Sequence, residues 1–150
     1  MSERFAAQVR EYNAFIARAH EYELDERLRI AREQVAAIYV AGLALPEYPE
    51  HETRVEVPNP ETPATWPHFG MKDLYYEVFD PYIEAPLVCG ELSDDLLDIY
   101  SDVGRGLALW DRGHTVAAVW DWRFHFDCHW GHHAVDALRA LQRACPTMLG

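Results

Sequence analysis

Four imidazoles crowd one short stretch near the C-terminus: His125, His129, His132 and His133. On a helix, His125 and His129 stand four apart and therefore neighbour one another, His132 follows one turn later, and Asp121 and Asp136 flank the strip. Imidazoles at that spacing can hold zinc or nickel when another helix supplies further ligands. The metal candidates are therefore His125, His129 and His132, the cofactor a divalent transition metal such as zinc, and the matching activity a metal-dependent hydrolase. The zinc-protease pattern, however, needs glutamate directly after its first histidine, and here Phe126 and Asp127 follow His125. A solvent-facing strip of weakly basic side chains accounts for the same spacing, so the leading expectation is no cofactor and the metal is the alternative. A second pair, Arg123 and Asp127, falls in the middle of an apolar arc. An unpaired charge there is costly, so the two are expected to form an ion pair, partly buried among Trp120, Phe124 and Trp130.

The element that must position these groups runs from His114 to Ala144. At about 100° per residue, Val116, Val119, Trp120, Phe124, Phe126 and Trp130 share an arc with Ala134, Val135, Ala137, Leu138 and Leu141. Trp120, Trp122, Phe124, Phe126, Cys128 and Trp130 also alternate at period two, the signal of a strand. The continuation through Val135, Leu138 and Leu141 fits the helical period alone, and Pro146 ends it. One helix about 45 Å long is predicted, with a bend near Gly131.

Upstream, Phe5, Val9, Tyr12, Ile16 and Ala19 recur at helical spacing behind Ser2 as N-cap, to about Tyr22. Asp25 caps a second helix carrying Leu24, Leu28, Ala31, Val35, Ile38 and Gly42 on one stripe and ending before Pro46. Six of the nine prolines lie between Pro46 and Pro67, so residues 46–69 read as a long proline-rich loop, anchored at its end by Trp66, His68 and Phe69. A short helix is predicted between Met71 and Pro81, with an extended segment as the alternative. Ser93 then opens a helix as its N-cap, with Leu96, Ile99, Tyr100, Val103, Leu107 and Trp110 on its buried face. Asp94, Asp95, Asp98 and Asp102 read as its solvated side, and Gly104 and Gly106 as points of close helix approach. Arg112 and Gly113 turn the chain into the last helix. The fold class is all-α: residues 1–150 form one helical domain, a bundle of four to five helices with the long proline-rich loop inside it.

The formal net charge is −12, and residues 46–100 hold thirteen of the 25 acidic groups against two of the 13 basic ones. Nucleic acid and anionic lipid both call for a basic surface, so neither is an expected partner. A basic protein partner for the acidic centre is. No run of about 20 apolar residues could span a membrane. The N-terminus has no apolar signal core, and the three cysteines show no paired spacing, which together predict a cytoplasmic protein. Cys128, within the aromatic helix, is expected to pack as a small apolar residue. There is no Walker loop, no G-x-S-x-G elbow and no G-x-G-x-x-G. No catalytic residue is assigned.

Three segments carry a family likeness: Tyr76-Glu77-Val78-Phe79-Asp80-Pro81, Asp94-Asp95-Leu96-Leu97-Asp98-Ile99-Tyr100, and His129-Trp130-Gly131 with Val135 and Ala137-Leu138-Arg139-Ala140-Leu141. With these, most of the chain resembles the bacterial family of cytosolic proteins catalogued as domain of unknown function five-zero-six-three. The resemblance implies a helical fold and no activity, cofactor or catalytic residue. The functional expectation is a non-catalytic adaptor or inhibitor that binds another macromolecule through its acidic centre. The alternatives are the hydrolase, and a small-molecule binder with an aromatic pocket formed by Trp66, Trp110 and Trp130.

Overall fold

The computed structural model describes residues 1–47 and 55–147. Part of the proline-rich stretch, residues 48–54, lies outside the described residues. Helix α1 (Ser2–Arg18) continues as a 3-10 turn (Ala19–Glu21), and α2 (Leu24–Leu43) folds back beside it. Neither helix uses the cap read from the sequence: α1 starts at Ser2 itself, and Glu23 precedes α2 without a side-chain cap bond. Arg27 secures the corner, donating to the carbonyls of Ala19, Tyr22 and His68. Apart from Leu24, the apolar stripes of both helices are buried as the periodicity predicts, with Val9, Tyr12, Ile16, Ala31, Val35 and Ile38 fully enclosed.

From Val55 the chain crosses α3 (Leu92–Asp111) without regular structure. Trp66 donates to the carbonyl of Ser93 at 3.1 Å and Phe69 is fully buried, whereas His68 stays exposed, so two of the three expected anchors hold the loop. The predicted short helix before Pro81 is absent. Residues Leu74–Glu77 form strand β1, paired antiparallel with β2 (Val88–Glu91), Leu74 opposite Glu91 and Glu77 opposite Val88. The aromatic and β-branched run from Tyr75 to Val78 suits a pleated ribbon, and Pro81 and Pro86 confine the reversal to the loop between the strands. This hairpin is the only addition to an otherwise helical fold among the described residues.

Helix α3 is the centre of the bundle, packed against α1, α4 (Thr115–His125) and α5 (Gly131–Ala144). Its first turn is capped from a distance: Asp73 accepts from the Ser93 amide at 3.0 Å and the Ser93 hydroxyl at 2.8 Å. Ser93, the predicted cap, is thus itself capped. Gly106 admits the Trp122 indole into the α3–α4 contact, and a methyl at this position would overlap that ring. Trp122 then donates to the carbonyl of Val103 at 2.9 Å. Gly104 instead faces Pro60 of the crossing loop. The three tryptophans proposed to share a pocket are dispersed: Trp66 meets Tyr100, Trp110 meets Trp122, and Trp130 packs with Phe5 and Phe126.

Candidate metal centre

The predicted long helix runs without interruption from Thr115 to Ala144 but changes its winding on the way. Residues Phe126–Trp130 form a π turn, in which the Gly131 amide bonds back to the Phe126 carbonyl five residues earlier. A side chain at Gly131 would overlap that carbonyl, so glycine permits the closure. One residue more per turn rotates everything before it by about 100° relative to everything after. The predicted arc assumes one uniform step of about 100° throughout, so the rotation shifts its N-terminal half. Trp122, not assigned to the arc, is fully buried, while Val116 and Phe124 are 56% and 49% exposed; Val135, beyond the turn, is 47% exposed and leaves the arc without that cause. Arg123 consequently lies at the edge of the core. Its Nε donates to Asp127 at 3.1 Å and its other nitrogens reach the Leu45 carbonyl and Glu47. The expected ion pair thus forms, with Arg123 19% exposed over the Phe126 ring and Asp127, over half exposed, at the solvent boundary. Cys128 is likewise exposed.

The same extra residue sets which histidines face α3. In an unbroken helix the strip would run 125, 129, 132; past the π turn it advances by one position, and His133 takes the place of His132. His129 Nδ1 donates to Asp102 at 2.5 Å, and His133 Nδ1 donates to Asp95 at 2.7 Å. Asp95 and Asp102 are buried, which corrects their reading as a solvated face; they cover the histidines of α5 and the π turn. His133 Nε2 meets Asp98 at 3.1 Å, and the two rings stand edge to face with centroids 4.8 Å apart. Ligand atoms of Asp98, His129 and His133 all lie within 4.8 Å of one another. Each imidazole commits Nδ1 to a buried carboxylate, so Nε2 is the nitrogen left to meet an ion, and in His133 it already faces Asp98. This outer carboxylate fixes tautomer and ring orientation in metal-ligating histidines.

Of the sequence candidates, then, His129 joins the cluster and the other two do not. His125 stays on its own helix with Asp121, at 3.3 Å, and Asp121 also takes Arg105. His132 is exposed and bonds the Asp127 carbonyl at 3.1 Å. Asp98 and His133 were not foreseen as members of the cluster. Their signal was present in the four-residue spacing of Asp94, Asp98 and Asp102 against that of His129 and His133, but pairing the two series requires the π turn.

Electrostatics extend the cluster toward β1. The His133 imidazole is held above the ordinary histidine range by its bond to Asp95, reinforced by Asp98 and Asp136. Burial pushes the Asp98 carboxyl up, and His133 pulls it back. The second oxygen of Asp95 accepts from the Tyr75 hydroxyl, whose ionisation is suppressed by burial and by that bond. Beside it, burial and then the charge of Asp136 push the Glu77 carboxyl up to about 7. Asp136 is raised too, by burial first and then by the charge of Asp95.

No helix among the described residues is long and apolar enough to cross a membrane. No functionally curated protein matches the chain. In fold, it is similar to the crystal structure of protein BF1032 from Bacteroides fragilis: TM-score 0.74, 19% identity, 96% of this chain and 92% of the other covered. At that identity the likeness speaks to the fold alone. The family model described as Domain of unknown function (DUF5063) matches residues 1–145, and the chain therefore belongs to that family.

Proposed function

We propose that this protein binds a divalent transition metal, zinc being the model ion, through Asp98, His129 and His133. The observation that carries this reading is the convergence of three ligand atoms, from α3, the π turn and α5, with both imidazoles already oriented by buried Asp95 and Asp102. Two imidazoles and one carboxylate suit zinc, and three protein ligands leave a tetrahedral position open for water. Zinc acidifies such a water toward neutrality, which would supply the hydroxide that a hydrolytic reaction needs. The ligands are only partly buried, so an ion has a path to them. The test is calorimetric titration of chelator-treated, tag-free protein with zinc. One ion per chain is expected, abolished in Asp98→Asn and in His133→Gln and retained in His132→Gln. Absence of stoichiometric binding would reduce the cluster to ion pairs that fasten α5 to α3.

A second reading, docking of a basic protein partner, draws on the hairpin. Phe79, Tyr82, Ile83 and Leu87 are 84%, 95%, 60% and 63% exposed in the loop between the strands, beside Asp80 and Glu84. An apolar tip with an acidic rim complements an apolar pocket rimmed by basic residues. The acidic centre is less available than its composition suggests, since Asp95 and Asp98 already face histidine. Cross-linked partners recovered with the parent chain and lost with Phe79→Ser/Tyr82→Ser would support this reading; identical recovery from both would remove it.

A further inference from the structure

We propose that the cleft between β1 and α5 is a binding site for a small organic oxyanion, a phosphate ester or a carboxylate. It stands on residues other than the candidate metal ligands and does not depend on the metal. The cleft encloses about 330 Å³, within the range that holds small ligands. Three cations line it: Lys72, which is the chain's single lysine, and Arg139 and Arg143 on one side of α5. Among the described residues, the charged side-chain group of none of the three makes a hydrogen bond or ion pair with the protein. In a chain of net charge −12, three side-chain cations around one cavity with no partner among the described residues is the arrangement that calls for an anion.

The cleft is also polarised along its length. Glu77 and Asp136 both line it at one end. From there β1 runs back toward Lys72 while α5 runs on through Arg139 to Arg143, so the carboxyl pair occupies one end and the cations the other. Positions 136, 139, 140 and 143 follow one another on a single helix face. Tyr76 from β1 and Ala140 from α5 supply apolar surface between the ends. Guanidinium groups grip phosphate and carboxylate through paired N–H bonds. The ligand that fits therefore carries its oxyanion at the Arg143 end, and an apolar or planar body against Tyr76. A hydrogen-bond donor on that body would reach Glu77 and Asp136.

The experiment uses the full chain after chelator treatment, so that no phosphate can be held by a metal at Asp98. Phenyl phosphate, phenylacetate and neutral benzyl alcohol are titrated at low salt, with binding read from backbone and arginine side-chain NMR shifts. At least one anion is expected to bind and to shift Arg139, Arg143 and Tyr76, with benzyl alcohol much weaker. Preference between the two anions tells phosphate from carboxylate. Arg139→Gln/Arg143→Gln, at two exposed positions, is expected to weaken the bound anion about tenfold or more, in keeping with the loss of charge-assisted bonds. The proposal is overturned if neither anion binds better than benzyl alcohol, or if the double variant binds as the parent does.

Discussion

Asp102→Asn isolates the part of the metal site that geometry alone cannot supply. Asp102 is 8% exposed and accepts the His129 Nδ1 proton at 2.5 Å, which leaves the Nε2 lone pair for the ion. Asparagine preserves the volume and removes the charge. With its oxygen toward His129 it accepts more weakly. With its amide nitrogen there, Nδ1 must accept, the ring proton moves to Nε2, and that nitrogen can no longer ligate. Loss of such an outer partner costs about 10- to 100-fold in metal affinity, or about 1.4–2.8 kcal/mol. The fold should tolerate the change, because Arg105, which touches Asp102 at 3.4 Å, keeps Asp121 at 3.4 Å. The assay is competition for zinc against a chromophoric chelator, with Asp94→Asn, on the exposed side of the same helix, as control. Unchanged affinity in Asp102→Asn would refute the claim that this carboxylate sets the ligand's tautomer.

Three further outcomes follow from the winding and its charges. Trp122→Ala should cost about 3–5 kcal/mol in urea unfolding, as fully buried tryptophans do, while Phe124→Ala, half exposed, should cost about 1 kcal/mol or less; the reverse order would mean the helix lacks the π turn. Gly131→Ala should lose about 1–3 kcal/mol through overlap with the Phe126 carbonyl, and should weaken zinc binding with it, whereas a variant as stable as the parent would show that the turn accepts a side chain. His125 is held above the ordinary histidine value first by its bond to Asp121, with burial and then Arg105 opposing. Its folded-state pKa is raised, so its contribution to stability is complete below about pH 6.5 and declines as pH rises through the folded value. The stability difference between parent and His125→Gln should therefore shrink between pH 6 and pH 8, and a difference that grows would contradict the pairing.

The bundle could be read from the chain because α1 and α2 obey an uninterrupted 3.6-residue period, and the buried face of α3 does so through Leu96, Ile99 and Val103. The hairpin was ambiguous for a physical reason: Tyr75, Tyr76, Val78 and Phe79 suit either a short helix or a strand, and pairing with β2 decides between them. The candidate site was half legible. Histidines four apart announced a possible centre, but a π turn has no period of its own over five residues, and its only local mark is Gly131. Extrapolating the phase across it placed Arg123 in the core, left Trp122 outside it, and selected His132 over His133. The buried carboxylates were obscured for a related reason, since an Asp series on a helix reads as solvated until a histidine series is known to face it.

The most direct test is anomalous diffraction from zinc-loaded crystals, recorded on both sides of the zinc absorption edge. The account predicts one strong peak about 2.0–2.2 Å from a carboxylate oxygen of Asp98 and from Nε2 of both His129 and His133. A peak confined to His132 or to other surface groups, or no peak between α3 and α5, would contradict it.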